Sequence, residues 1–126
     1  TRCSRDWSSD VCSSDLRLDL LPALTEAAAR DLVPVLTRQA DLARDDADLL
    51  DSLATALDPT DARALAGAPP ALARRAVRAW LRGDHPPDAA TVERVLAVAR
   101  GEATATEVGA GRRVERSQQR LRLVVP

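Results

Sequence analysis

The stretch "PPALARRAVRAWLRG", residues 69–83, has the pattern of an amphipathic helix. Its apolar side chains recur at spacings of three and four residues, which is the period of one helix face. They are Leu72, Ala73, Ala76, Val77, Trp80 and Leu81. Arginines at positions 74, 75, 78 and 82 occupy the other face. The double proline marks a boundary before this segment and Gly83 suits its end, so we predict a helix between them.

A much longer helix is predicted upstream, from about residue 32 to residue 57. Its apolar residues step by three or four, and they are Leu32, Leu36, Ala40, Ala43, Ala47, Leu50, Ala54 and Leu57. Pro34 falls within the first turn, where a proline is tolerated. A short helix precedes it, ending near Ala29, with Pro22 in its first turn. Another short helix follows, which Asp58 or Thr60 caps and Gly67 ends.

The segment after residue 83 predicts one more helix and then a change of period. "DAATVERVLAVARG", residues 88–101, has Asp88 as its N-cap and Gly101 beyond its end. Its apolar stripe consists of Val92, Val95, Leu96 and Ala99. The tail instead alternates every two residues, with turn signals at residues 109–111 and 117–118, as in strands. We therefore predict a mainly α fold: a long connector helix, then a small helical domain with a short C-terminal antiparallel β-meander.

Charge is distributed unevenly along the 126 residues, although the formal net charge is only −1. Residues 17–61 hold four arginines against ten acids, whereas residues 62–126 hold twelve arginines against six acids. A basic half favours an anionic partner, but two halves that complement each other within the fold explain the asymmetry equally well. No apolar run approaches a transmembrane span, so we expect no membrane partner and a cytoplasmic location.

The opening residues, "TRCSRDWSSDVCSSDL" (1–16), differ in composition from the rest and contain both cysteines. A disulfide and a zinc site are disfavoured, since no other cysteine exists and the spacing does not suit metal ligands. A disordered arm fits the Ser and Asp content. The segment "DWSSDVCSSDL" also back-translates into a standard sequencing-adapter primer. We therefore predict that residues 1–16 are an adapter-derived, disordered artefact without function and that the native protein is truncated near Arg17.

No catalytic constellation and no metal site are predicted. The one histidine, His85, falls in the loop sequence "GDHPP" and is expected to be solvated. "GAGRR" lacks the strand–loop–helix context of a phosphate loop. Five acids crowd one helical segment, at positions 41, 45, 46, 48 and 51, but without the spacing of a calcium loop. We interpret them as a solvated helix face.

Arginine clusters are the best candidates for a binding site. Arg74, Arg75, Arg78 and Arg82 share one helix face, and Arg112, Arg113 and Arg116 begin a second cluster on the tail that Arg120 and Arg122 extend. Guanidinium groups bind phosphate oxygens bidentately and keep their charge, which favours a nucleic-acid partner. A solvated helix face, with arginine stems covering apolar surface, is the alternative. Stacking of bases on Phe or Tyr is excluded, because the chain has neither.

Four segments taken in order resemble the C-terminal half of bacterial tRNA(Ile)-lysidine synthetases. They are "RLDLLPALTEAAARDLVPVLTRQADLARDDADLLDSLA", "PPALARRAVRAWLR", "VERVLAVARGE" and "GAGRRVERSQQRLRL". The most specific piece runs from Pro69 to Leu81. The resemblance implies a helical connector over residues 17–57 and a small α+β substrate-binding domain over residues 58–126.

The family uses ATP to attach lysine to the wobble cytidine of an isoleucine tRNA. The resemblance therefore implies a tRNA partner, contacted near its anticodon through the arginines named above, and a full-length parent that requires ATP and Mg²⁺ and is able to form a homodimer. The family's phosphate loop, S-G-G-x-D-S, does not occur in this chain. We accordingly expect no catalytic residue and no cofactor here, and no ligase activity from this chain alone. The alternative is a non-catalytic helical protein-interaction module.

Overall fold

The computed structural model describes residues 13–125, so the predictions about Cys3, Cys12 and the adapter-like sequence before Ser13 lie outside the described residues. The chain is mainly helical and ends in a three-stranded antiparallel sheet, which confirms the predicted fold class. The helices are α1 (Ser13–Asp15), a π-helical turn (Leu16–Leu20), α2 (Leu21–Ala28), α3 (Val33–Ala54), α4 (Ala62–Gly67), α5 (Pro70–Trp80) and α6 (Ala89–Arg100). The strands are β1 (Ala105–Gly109), β2 (Arg112–Ser117) and β3 (Arg120–Val124).

The chain divides within α3, after Arg44, into two compact units. The second unit thus begins at Asp45. The division of the chain into a connector and a substrate-binding domain after residue 57 stays a prediction. The last turns of α3 belong with the second unit because Ala54 is buried and Asp51 pairs with Arg75. Within residues 13–125, no helix has the length and apolarity to cross a membrane.

The first unit is helical but has no buried core among residues 14–44. Among the described residues, Ser13–Asp15 are α-helical and Leu16–Leu20 form the π-helical turn, while the predicted disorder of residues 1–16 stays a prediction. Ala29, in the left-handed conformation (φ 52°), ends α2 as predicted. Leu18, at 74% exposure, is typical of the leucines that this unit leaves in solvent.

The second unit has its core around α6, which contacts α4, α5, β1 and β2. The predicted apolar stripes of α5 and α6 are the buried ones: Val77 and Val95 are fully buried, as is Leu81 just after α5. The strands add Val108, Val114 and Leu121 to the same cluster. Leu, Val and Ala build nearly all of this core, as the composition predicts.

Helix caps partly follow the sequence prediction. Asp88 caps α6 by accepting a hydrogen bond from the Thr91 N–H (2.7 Å), and Gly101 takes the left-handed conformation at its end (φ 85°). The cap of α4, however, is Asp61, which accepts from the Ala64 N–H (3.0 Å). The prediction of Asp58 or Thr60 was wrong because those two residues bond to each other instead.

The meander is closed by two tight turns. β1 pairs with β2 and β2 with β3, both antiparallel, and a bulge interrupts the first pair between Glu107 and Gly109. Gln118 and Gln119 both have positive φ angles (48° and 68°), as a two-residue hairpin turn of the I′ type requires. Glutamine rarely takes this conformation, which is why the sequence placed this turn one residue early, at Ser117-Gln118.

Asp58 ties the loop after α3 to the last hairpin. Its carboxylate accepts hydrogen bonds from the N–H and the hydroxyl of Thr60 (2.8 and 2.7 Å) and from Arg120 (2.8 Å). These bonds, chiefly those from Thr60 and then that from Arg120, lower the pKa of Asp58 from 3.8 to about 2. The Leu121 N–H donates to the Thr60 carbonyl beside them (2.8 Å), so backbone and side chains join the two segments at one point.

Acid should weaken this junction, because the depressed pKa of Asp58 means that the native state favours the ionised carboxylate. Its contribution is complete above the ordinary value of 3.8 and is lost as the pH falls towards about 2. We expect Asp58→Asn to lower the melting temperature at pH 6, and the difference from the parent protein to shrink between roughly pH 4 and pH 2. Thermal unfolding by circular dichroism measures it.

The matched control is Asp46→Asn on the exposed part of α3, where no described residue pairs with the carboxylate. It should leave the melting temperature nearly unchanged across the same range. If the melting temperature of Asp58→Asn differs from that of the parent protein by the same amount from pH 6 to pH 2, the charge of this carboxylate does not stabilise the junction.

Candidate nucleic-acid interface

Two arginines of the α5 segment remain free for a ligand. Arg78 lies on the last turn of α5 and Arg82 lies two residues after the helix ends, and both are exposed. Within residues 13–125, neither makes a hydrogen bond or an ion pair. Because both side chains line the same groove, the two guanidinium groups can reach the same anion.

Both arginines line a groove of about 780 Å³ in the second unit. One wall is the end of α3 and the loop after it, which contribute Asp51, Ala54, Thr55, Leu57 and Pro59. The other is α5 and the residues after it, which contribute Arg75, Ala76, Arg78, Ala79, Trp80 and Arg82. The groove therefore combines a cationic edge with an apolar floor.

The other two arginines predicted on α5 already have acidic partners. Arg75 Nε lies 3.1 Å from Asp51 Oδ1, across the groove, although the pair is not aligned for a hydrogen bond. Arg74 Nε donates to Glu93 Oε1 of α6 (2.5 Å). Both side chains of the Arg74–Glu93 pair are about half exposed, and such surface pairs contribute only ~0–1 kcal/mol, so an anion could displace the glutamate. Because these acids partly neutralise Arg74 and Arg75, the strongest positive charge of the α5 segment lies at Arg78 and Arg82.

The tail arginines do not form one cluster, because the strand pleat separates them. Arg112 and Arg116 lie on the same side of β2 as the buried Val114, and Arg113 lies on the opposite side. Arg112 is half-buried and donates from Nη2 to the Leu81 carbonyl (3.3 Å), near the C-terminal end of α5. Arg116 donates to the Gln119 side chain (2.8 Å) and passes over Gly101, where a Cβ would meet its guanidinium.

The outer face of the sheet carries both arginine and glutamate side chains. Arg113 lies 3.6 Å from a Glu115 oxygen and 3.9 Å from a Glu107 oxygen. Arg120 is held by Asp58, whereas Arg122 has no partner among residues 13–125. The predicted second cluster therefore offers isolated arginines to a ligand and no concentrated patch.

Acid–base or metal chemistry has no assembled site among residues 13–125. No three His, Asp or Glu side chains converge as metal ligands there. His85 lies exposed in the loop between α5 and α6. The acids of α3 are exposed, with Asp41 paired to Arg44 (2.8 Å) one turn away. At the end of α6, Arg100 donates to Glu102, which lowers the pKa of that carboxyl and raises the pKa of Arg100.

Sequence reasoning missed two members of the groove, Trp80 and Asp51. Trp80 was assigned to the core face alone, yet it is half-buried: it packs on the core and also lines the groove. Its place between Arg78 and Arg82 could have indicated this role. Nothing in the sequence indicates that Asp51 pairs with Arg75, since the two residues come from different helices.

Fold and groove together define a small α+β domain with exposed arginines at the edge of a groove. Residues 61–122 match the family model described as the TilS substrate binding domain. The chain is also 38% identical, over 73 residues, to the tRNA(Ile)-lysidine synthase of Mycobacterium leprae. That alignment covers 52% of this chain and 23% of the relative, so the chain spans about a quarter of that protein's length. Residues 61–122 are therefore similar to the TilS substrate-binding domain, which confirms the predicted resemblance.

Proposed function

We propose that this chain binds tRNA through the groove face of α5, with Arg78 and Arg82 as the principal phosphate contacts. The observation that carries the proposal is the pair of unpaired, exposed arginines beside a groove in a domain similar to the TilS substrate-binding domain. Contacts to phosphate position an RNA without identifying its bases. The remaining predicted arginines fall into two groups in this proposal. Arg74, Arg75 and Arg113 contribute at the margins, while Arg112 and Arg116 hold the fold.

We further propose that the parent protein is an ATP-dependent ligase of the tRNA(Ile)-lysidine class. Its substrate is an isoleucine tRNA, held near the anticodon, in the cytoplasm, and the parent is able to form a homodimer. Residues 13–125 do not fit ATP or Mg²⁺, since they hold neither converging acids nor a glycine-rich phosphate loop. The ligation of lysine to the wobble cytidine is therefore assigned to other parts of the parent, and this chain alone should not catalyse it.

A salt titration tests the proposed tRNA contact. Each arginine–phosphate contact releases condensed counterions, so the logarithm of the association constant should fall linearly with the logarithm of the salt concentration. Two to four contacts in the groove predict a slope of roughly −2 to −4. Fluorescence anisotropy with labelled isoleucine tRNA, from 50 to 300 mM KCl, measures it.

Heparin, a polyanion without bases, is the competitor that controls for charge alone. The proposal requires tRNA binding that weakens with salt at a slope of this size. A slope near zero, or no binding at 50 mM KCl, contradicts it.

An interaction module remains the second candidate function, and the exposed leucines of α3 favour it. Leu42, Leu49 and Leu53 are 54%, 59% and 49% exposed and recur at spacings of seven and four residues. A helix face of this kind is suited to packing against another protein surface. Binding of a protein partner through it should persist or strengthen as salt rises, which is opposite to the tRNA result.

A further inference from the structure

The groove contains an aromatic ring as well as arginines. Residues 13–125 contain no Phe or Tyr and one Trp, Trp80, which lies in sequence between the two unpaired arginines, Arg78 and Arg82. It is half-buried and lines the groove together with small neighbours, Ala76 and Ala79. Alanines beside a tryptophan leave room for a planar group next to the ring.

We propose that this groove takes one unstacked nucleotide of an RNA, with its base against Trp80 and its flanking phosphates on Arg78 and Arg82. The inference rests on the proposed tRNA binding and adds to it a requirement for a base that is free of the duplex. Phosphate contacts alone would not distinguish a loop nucleotide from a paired one.

The chemistry of the lining matches a nucleotide in each of its parts. Two guanidinium groups without acidic partners complement phosphate charge. The indole that lines the groove is an aromatic ring of the kind on which bases stack, and such stacking tolerates sequence variation. The groove volume of about 780 Å³ falls within the range of small-ligand sites.

Trp80 is only partly buried and lies at the edge of the core. The core cluster around α6 is formed by fully buried Leu, Val and Ala, and Trp80 only packs against its edge. Packing accounts for the buried part of the ring. The part that lines the groove gains nothing from the core, and it is the part available to a ligand.

The test compares two RNAs of equal phosphate number: a hairpin with a seven-nucleotide loop and a fully paired duplex. The full chain carrying Trp7→Phe leaves Trp80 as the only emitter. We expect the hairpin to quench Trp80 emission and to bind more tightly than the duplex. Replacing Trp80 by leucine should weaken hairpin binding by roughly 5- to 100-fold and leave duplex binding unchanged. Trp80→Phe, which keeps a ring, should lose only a few-fold.

Thermal unfolding of each variant verifies the fold, and the quenching experiment remains decisive even if the leucine variant fails to fold. Equal binding of hairpin and duplex without any change in emission would overturn the stacking proposal and leave tRNA binding intact. An equal loss of both RNAs in the leucine variant would also overturn it. Failure of the parent chain to bind either RNA would contradict the proposed function itself.

Discussion

Replacing Leu121 by alanine is expected to lower the free energy of unfolding by about 2–5 kcal/mol. Leu121 is 2% exposed and lies in the core cluster formed by the helices and the sheet. Removing its side chain loses apolar burial and leaves a cavity that the surrounding Val and Ala side chains are too short to fill. The loss is large for a small domain, since stabilities of about 0.05–0.15 kcal/mol per residue give residues 45–126 only roughly 4–12 kcal/mol in total.

Urea unfolding followed by circular dichroism measures this loss, and Val125→Ala provides the control. Val125 follows the same strand but is 67% exposed, so its truncation should cost less than about 0.5 kcal/mol. If Leu121→Ala costs no more than the control, the hairpin does not unfold together with the helices. Binding of tRNA by the folded fraction should not change, because the Leu121 side chain is in the core and does not line the groove.

Helices and strands whose apolar residues recur at a regular spacing could be predicted from sequence, because that spacing indicates both the type of element and the face that is buried. α5, α6 and β3 follow this rule, with Val77, Val95 and Leu121 buried as expected. α3 obeys it only in its last turns. Its start was predicted to within one residue and its end three residues too late. Leu36 on the predicted stripe is 49% exposed, because burial needs a packing partner that a regular spacing of apolar residues cannot provide.

For the candidate site, the sequence predicted which helix carries the arginines but not which of those arginines are free. The free or paired state of an arginine depends on contacts between elements, such as Arg74 with Glu93 and Arg75 with Asp51. The placement of the tail arginines on two opposite faces of the sheet, in contrast, could be predicted from the two-residue period of a strand. A buried Val114 places residues 112 and 116 on the inner side, as the structure has them.

Reversing both free charges, Arg78→Glu with Arg82→Glu, is expected to weaken tRNA binding by about 100-fold or more. A hydrogen bond to a charged group contributes roughly 1.5–3 kcal/mol, and each 1.4 kcal/mol is a factor of ten in affinity. Losing two such contacts therefore suffices for this effect, and the new carboxylates add repulsion of phosphate. Because neither side chain pairs with any residue within 13–125, the melting temperature should change little.

The double variant Arg63→Glu with Arg122→Glu makes the same change of net charge elsewhere. Both arginines are exposed and lack partners among residues 13–125, and neither lines the groove. Binding measured at one salt concentration should fall only a few-fold in this variant, through the general field of the protein. Equal losses in the two double variants would mean that net charge, and not the groove, attracts the tRNA. If only the Arg78→Glu, Arg82→Glu variant loses affinity for tRNA, the RNA binds at the groove edge, where these two arginines have no acidic partner.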